Sequence, residues 1–512
     1  MASEITADGQ VIAPLNVRKP APILDIRDFQ WRGTDTTHPQ IAPVARVAAP
    51  EVKLFAQGVA AAAGAAPKAS SVAVDEPVPD EKVLREQLDI DRPKEKRQPI
   101  LKFPLDKFTG AYAGNGFNMI FRPRPFKRDP ETNKPLEIFN IEDPKPNGLN
   151  DNILQLSLTT EQWTFGPTLG KIPNRGLFKQ VDIDLTGLPY LQTVQDVTNL
   201  ATGKGDKVDT NKANGIHLEP GVILLVPPSD SHQGTSIVRM ASIPHGTTIN
   251  AQGLAPDPNV KRSAKPDFTK HVIDTTPFTI GDPKNGRQTN PDFFPSMNAD
   301  RVNEPLRIPG DLSKFSDKNG GTGRITTEII KNPNKVLEKA IEGQVITDTI
   351  TFSLSTALPK DDKDPSFASH VPGGGGTANI TFLGPNAHTE SVTNTWWVET
   401  VEYTVNVPGP LAEGETIKEV RPTMPPVSVP GDKTKKQPSL APTPVFRITG
   451  PKGGVPTGTI VPLKVPGTQI QYSQTVNLNF GKLTWPHVSV ATLVPVTPQP
   501  YQMTPEDLKR KS

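Results

Sequence analysis

The chain has no cysteine among its 512 residues, which excludes disulfides, thiolate metal sites and thiol nucleophiles. Aromatic residues make up 6% of it and histidines number eight, so few side chains can supply stacking or imidazole chemistry. An excess of either charge is also missing. The 56 basic residues face 54 acidic ones, for a net charge of +2, and that balance gives no electrostatic footprint for nucleic acid or an anionic membrane. No apolar run approaches the roughly 18 residues of a membrane span, and the opening MASEITADGQVIAPLNVRKP lacks an apolar core of signal-peptide length. These absences predict a soluble, cytoplasmic protein with neither nucleic acid nor membrane as partner. A cysteine-free chain also suits a reducing compartment.

Proline and glycine are abundant, with 57 and 40 copies. So much proline limits regular helix and predicts short strands joined by long loops. Residues 1–104 are rich in Pro, Ala and charge and hold little that could form a core. They read as an extended arm with short helices around 51–63 and 80–90, the second running from Asp80 and stopping before Pro93.

From about residue 105 the texture changes to strands. Alternating or short apolar stretches fall at 111–123, 152–165, 181–187, 189–198, 215–227, 236–244, 247–253, 347–357, 377–384, 394–407 and 445–450. The closing stretch IQYSQTVNLNFGKLTWPHVSVATL (470–493) alternates most strictly, with Ile470, Tyr472, Val476, Leu478 and Phe480 on one parity. Short strands separated by turn residues predict an all-β barrel or sandwich. One helical segment is expected at 324–343, interrupted at Pro333 and stopped by Gly343. The whole of 105–500 reads as one β domain with insertions at 124–150, 254–346, 358–376 and 408–443, followed by a polar tail at 501–512.

No enzyme signature emerges. GPTLGKI (166–172) is one residue short of a phosphate loop, and Ile172 stands where Ser or Thr should hold magnesium. DKNGGTGRITTE (317–328) has Asp317, Asn319 and Glu328 at EF-hand offsets, but Gly321 and Thr322 break the ligand and turn positions. HExxH, GxSxG and a Gly-rich dinucleotide loop are all absent from the sequence.

Several short patterns occur in a fixed order. They are Gly110-Ala-Tyr112-Ala-Gly114, then Pro189-Tyr190-Leu191, then His217-Leu218-Glu219-Pro220-Gly221. MASIPHGTTINAQG (240–253) follows, and the series closes with Tyr472, Thr475, Leu478, Gly481, His487 and Leu493. This order resembles that of nitrobindin-like barrels, within the wider class of fatty-acid-binding-protein-like barrels. Pro495, Val222 and Ile223 depart from the residues usual there.

The resemblance implies a closed antiparallel barrel of about ten strands. It also implies heme bound through a histidine of the closing region, a position that maps onto His487. Trp485, Phe480 and Leu493 would then supply the apolar surround of the porphyrin. On its residues alone, His487 stays open between an iron ligand and a half-exposed strand residue behind Pro486. His217 and Glu219 share one strand face and are expected to bond each other or solvent.

In size and lack of enzymatic motifs the chain is also similar to bacterial relatives of octin, the fungal vacuolar crystal protein, a similarity carried by no diagnostic residue. The expected function is non-enzymatic: a structural protein that self-assembles into a homo-oligomer through its arm and long loops, without a cofactor. The alternative is a heme-binding barrel that senses or carries a small ligand, with His487 as axial ligand and an apolar small molecule as partner.

Overall fold

The computed structural model describes residues 101–123, 152–176, 181–199, 205, 215–228, 234–271, 273–282, 307–308, 327–356, 376–380, 388–429, 432–437, 439, 441–480 and 483–509. Nearly all of the expected arm, with both of its helices, lies outside them, as do 124–150 and most of 358–376.

Ten strands close into an antiparallel barrel. In chain order the strands are β1 (Gly110–Pro123), β2 (Asn152–Phe165), β3 (Ile172–Asn174), β4 (Ile183–Asp196), β5 (Gly215–Val226), β6 (Ser236–Ile243), β7 (Thr247–Leu254), β8 (Phe278–Thr279), β9 (Arg307–Ile308), β10 (Val345–Ser355), β11 (Gly376–Asn379), β12 (His388–Pro408), β13 (Thr416–Val420), β14 (Val427–Val429), β15 (Asp432–Gln437), β16 (Phe446–Thr449), β17 (Ile460–Phe480), β18 (Leu483–Pro495) and β19 (Gln499–Gln502). The barrel order is β4-β5-β6-β7-β10-β12-β17-β18-β1-β2, and β2 pairs back onto β4 from Thr159↔Asp196 to Phe165↔Tyr190. The expected closed all-β barrel is therefore what the chain forms. The segments 181–187 and 189–198 join into the single strand β4 through Leu188-Pro189.

The period-2 pattern puts one parity of each strand inside. Leu188 and Tyr190 on β4, Ile223 and Leu225 on β5, Trp163 and Phe165 on β2, and Ile470 and Tyr472 on β17 belong to one buried cluster. A single turn of 3-10 helix at Leu105–Lys107 plugs the near end. Leu105 and Phe108 both enter the cluster, and the Phe108 ring meets Phe165 edge-on at 5.2 Å and Trp396 at 5.7 Å. The Tyr112 hydroxyl ties the plug down by donating to the Lys107 carbonyl at 2.6 Å. Gly114 of the opening motif is explained by close approach, since a Cβ there would lie 1.9 Å from the Thr492 carbonyl oxygen on β18.

The outer wall is partly covered. Helices α1 (Thr327–Lys331) and α2 (Lys335–Ala340) replace the single expected helical segment, because Pro333 between them cannot donate to the helical ladder. Ile330 and Leu337 from these helices pack with Phe117, Trp397, Trp485, Val488 and Val490 in a second cluster.

The insertion at 408–443 is not all loop, and 501–512 is not simply a polar tail. β13, β16 and β19 form a separate three-stranded sheet, and β14 pairs with β15. The sheet caps the far extensions of β12 and β17 around Phe446, Ile448 and Leu463 in a third cluster. Met503 is buried in that cluster, while Asp507 accepts from Thr504 N–H at 2.8 Å and closes a final 3-10 turn. Among the described residues, no helix is long and apolar enough to cross a membrane.

Candidate functional site

Across the middle of the barrel the inward parity turns polar. Glu161, Gln192, Glu219, Arg239 and Gln474 are buried there on five different strands. Arg239 Nη2 and Nε donate to Glu219 Oε1, with Nε at 3.1 Å, and Nη1 donates to Gln474 Oε1 at 2.7 Å. The Tyr190 hydroxyl donates to Glu219 and accepts from Arg239 Nε at 2.9 Å. Asn394, with its amide oxygen turned inward, accepts from Arg239 and from Trp396 Nε1. Burial alone would raise the Glu219 carboxyl, but the Arg239 guanidinium and the bonds from His217 and Tyr190 outweigh it and hold it down at about 2.

Glu161 differs because no guanidinium faces it in the bonds it makes. Its oxygens accept from Tyr472 at 2.8 and 2.7 Å and from Gln192 at 2.6 Å. Burial raises this carboxyl, and those donors only partly offset it. The belt is thus an ionic and hydrogen-bonded floor in which the Gln192 amide oxygen is left unpaired, not a reactive dyad.

Beyond the floor the packing loosens. On β18 the inward residues Leu493 and Ala491 have no exposed surface, whereas Ser489 and His487 are only half-buried. β17 repeats the gradient: Ile470 and Tyr472 are sealed, Val476 is 8% exposed, and Leu478 is half-buried. The barrel is therefore filled from the Leu105 plug to the belt and opens toward His487.

His487 lines this open end. Asn118 Nδ2 donates to its Nε2 at 2.8 Å and to Ser489 Oγ at 2.9 Å, which makes Nε2 the acceptor and leaves the ring proton on Nδ1. Burial drives the imidazole from its ordinary 6.5 down to about 3, with His217 and His245 adding to the depression. His487 is uncharged at neutral pH. The three histidines belong to one rim: the His217 ring stacks on His245 at 5.7 Å, and its Nε2 meets Glu219 Oε2 at 3.3 Å.

Of the four residues expected to form a porphyrin pocket, Leu493 and Trp485 lie apart from His487. Leu493 sits at the sealed end, opposite Ile470 and Gly114. Trp485 is buried in the second cluster with Phe117 and Val488. Phe480 ends β17, and its side chain is outside the described residues. His487 is at the mouth, with Val476 directly opposite on β17. The expected bond between His217 and Glu219 is present. Arg239 and Glu161, the centre of the belt, were missed by sequence reasoning. The available signal was a charge on the inward parity of each strand, as in Ile237-x-Arg239-x-Ala241.

No family model and no curated protein matches the chain. Among solved structures, the crystal structure of Rv2717c from M. tuberculosis is similar over 76% of this chain and 94% of that one, at 9% identity and a TM-score of 0.23.

Proposed function

We propose that the chain is a non-enzymatic barrel protein that binds heme at its open end, with Nε2 of His487 as the axial ligand, in order to sense or carry a small molecule. The observation that carries this reading is an uncharged imidazole facing inward at the level where the barrel's packing gives way. A ligand nitrogen must be unprotonated, and burial keeps this one so across the physiological range. Its Nδ1 keeps the proton, the tautomer an Nε2 ligand requires. Val476 and Leu478 supply aliphatic surface beside it, and a porphyrin would make up most of the metal's ligands. Asn118 must release Nε2 on binding, and Ser489 stays within its reach at 2.9 Å. Heme bound there would supply an iron with one open face for a small ligand.

A ligand that binds only the folded state stabilises it by about 2.7 kcal/mol at a hundredfold excess over Kd. Hemin is therefore expected to raise the thermal midpoint of the full chain and to leave that of His487→Ala unchanged. Equal shifts in both would remove His487 from the role, and no shift in either would remove the heme reading.

A second reading, self-assembly into a homo-oligomer in the cytoplasm, is supported by composition: the near-zero net charge and the Pro- and Ala-rich residues 1–104. Low net charge lowers repulsion between copies. Light scattering of the purified full chain tests it, the expected result being a mass that is a multiple of 55.4 kDa. A mass equal to one chain would overturn it.

A further inference from the structure

The barrel wall has a seam at its open end. β7 meets β10 at a single paired position, Ser355↔Gln252. Beyond it β10 turns along β12, where Thr356 N–H donates to the Val392 carbonyl at 2.9 Å. The gap left between β7 and β12 is filled by β11, which is four residues long. β11 pairs with β7 from Gly376↔Asn250 to Asn379↔Thr247, and Ile380 N–H donates to the Gly246 carbonyl at 2.7 Å.

Toward β12 it forms no ladder. Side chains alone bridge to Thr389: Asn379 accepts from Thr389 N–H at 2.9 Å and donates to its carbonyl at 3.2 Å, and Thr377 Oγ1 donates to the same carbonyl at 2.8 Å. Thr389 stands at a register shift in β12, opposite Leu478 of the mouth. None of residues 376–380 is fully buried. The strand follows Gly373-Gly374-Gly375 and begins on Gly376 at φ +126°, a backbone conformation that a side chain would strain.

We infer that β11 is a hinged slat that opens the barrel wall sideways, giving a ligand a route to the His487 end. Displacing it leaves two inter-strand spacings between β7 and β12, about 10 Å. An element with hydrogen bonds but no buried side chain lies at the low-stability end of a fold and opens without global unfolding. The route rests on the proposal that the open end holds a ligand; the opening itself does not.

Native-state hydrogen exchange on the full chain tests the opening without any ligand. The Ile380 and Thr389 amides are expected to exchange at least ~100-fold faster than the β12–β17 ladder amides, through a sub-global event. Asn379→Ala should accelerate Thr389 further and leave the β5–β6 amides unchanged. Exchange of Ile380 and Thr389 together with the β12–β17 ladder, in the global event, would overturn the slat. Because the chain has no cysteine, the register pair Thr248 and Ala378 can be replaced by cysteines on a clean background. Oxidation of that pair should restore protection of Ile380 and slow hemin association at least ~10-fold, and reduction should reverse both. An unchanged Ile380 rate in the oxidised protein would also overturn the slat. Restored protection of Ile380 without slower hemin uptake would overturn the route, whereas failure of hemin to bind at all would remove the heme reading and leave the exchange result to decide the opening.

Discussion

Three groups, His487, Glu219 and Glu399, make the stability of this protein depend on pH in opposing directions. His487 has a folded value of about 3 against an ordinary 6.5. Its unfolded form therefore binds a proton first, and stability falls as pH drops from 6.5 toward 3. Glu219, held at about 2 against 4.5, acts in the same direction at lower pH, between 4.5 and 2. Glu399 is buried on the outer side of β12, accepts from Gln469, and is pushed by burial from 4.5 to about 8. Its contribution is complete below 4.5 and is lost as pH rises through 8. Denaturant unfolding at a series of pH values should thus show the acid slope reduced in His487→Ala and the alkaline slope reduced in Glu399→Gln. Unaltered slopes would contradict the assigned environments.

In the belt, Arg239→Met leaves Glu219 buried without its partner and should cost about 3–5 kcal/mol. The alternation of Val476 and Leu478 on β17 was legible in the sequence, whereas His487 stayed open between an iron ligand and a half-exposed strand residue. The fate of Trp485 was not legible, because parity names a face and not the cluster a large ring joins.

Proline explains most of what was and was not legible among the strands. Pro189, Pro220, Pro462, Pro466 and Pro486 all lie inside barrel strands; Pro189, Pro462 and Pro466 read as breaks, whereas 215–227 and 470–493 read as strand through Pro220 and Pro486. Every one stands where its strand has a paired neighbour on one side only. β17 pairs with β12 from Ile460 onward but with β18 only from Ile470, so Pro462 and Pro466 face an open edge. β18 reaches β1 only at Val488, just past Pro486, and β5 reaches β6 only at Gly221, just past Pro220. The stagger that a tilted barrel demands creates these single-sided stretches, and no local pattern reveals it. Hence the first half of β17 was missed while 152–165 was read to the residue. A proline at Thr475, which pairs with both Thr393 and Val488, should lower stability by ~3 kcal/mol or more. Pro466→Ala should change it by less than about 1 kcal/mol. Thermal unfolding of the two variants side by side checks this, and similar losses in both would contradict the edge argument.

At the scale of the molecule, one β domain serves two structural purposes. Its sealed half is an ordinary apolar core, plugged by Leu105 and Phe108. Its open half presents the half-buried His487 beyond the floor formed by Glu219 and Arg239. The strand extensions and their three-stranded cap sit on a separate cluster, so the cap can vary without touching the mouth. An all-β barrel or sandwich was legible from strand spacing, whereas closure was expected only through the resemblance. The cap was not legible, because β13 and β19 are five and four residues long and mostly polar, too short to carry a period. The central claim is that an uncharged His487 at the open end ligates heme. Titrating the full chain with hemin while recording its visible spectrum tests it most directly. The account predicts a saturable Soret band at one equivalent that His487→Ala abolishes; an identical band in that variant, or none in the parent, would contradict it.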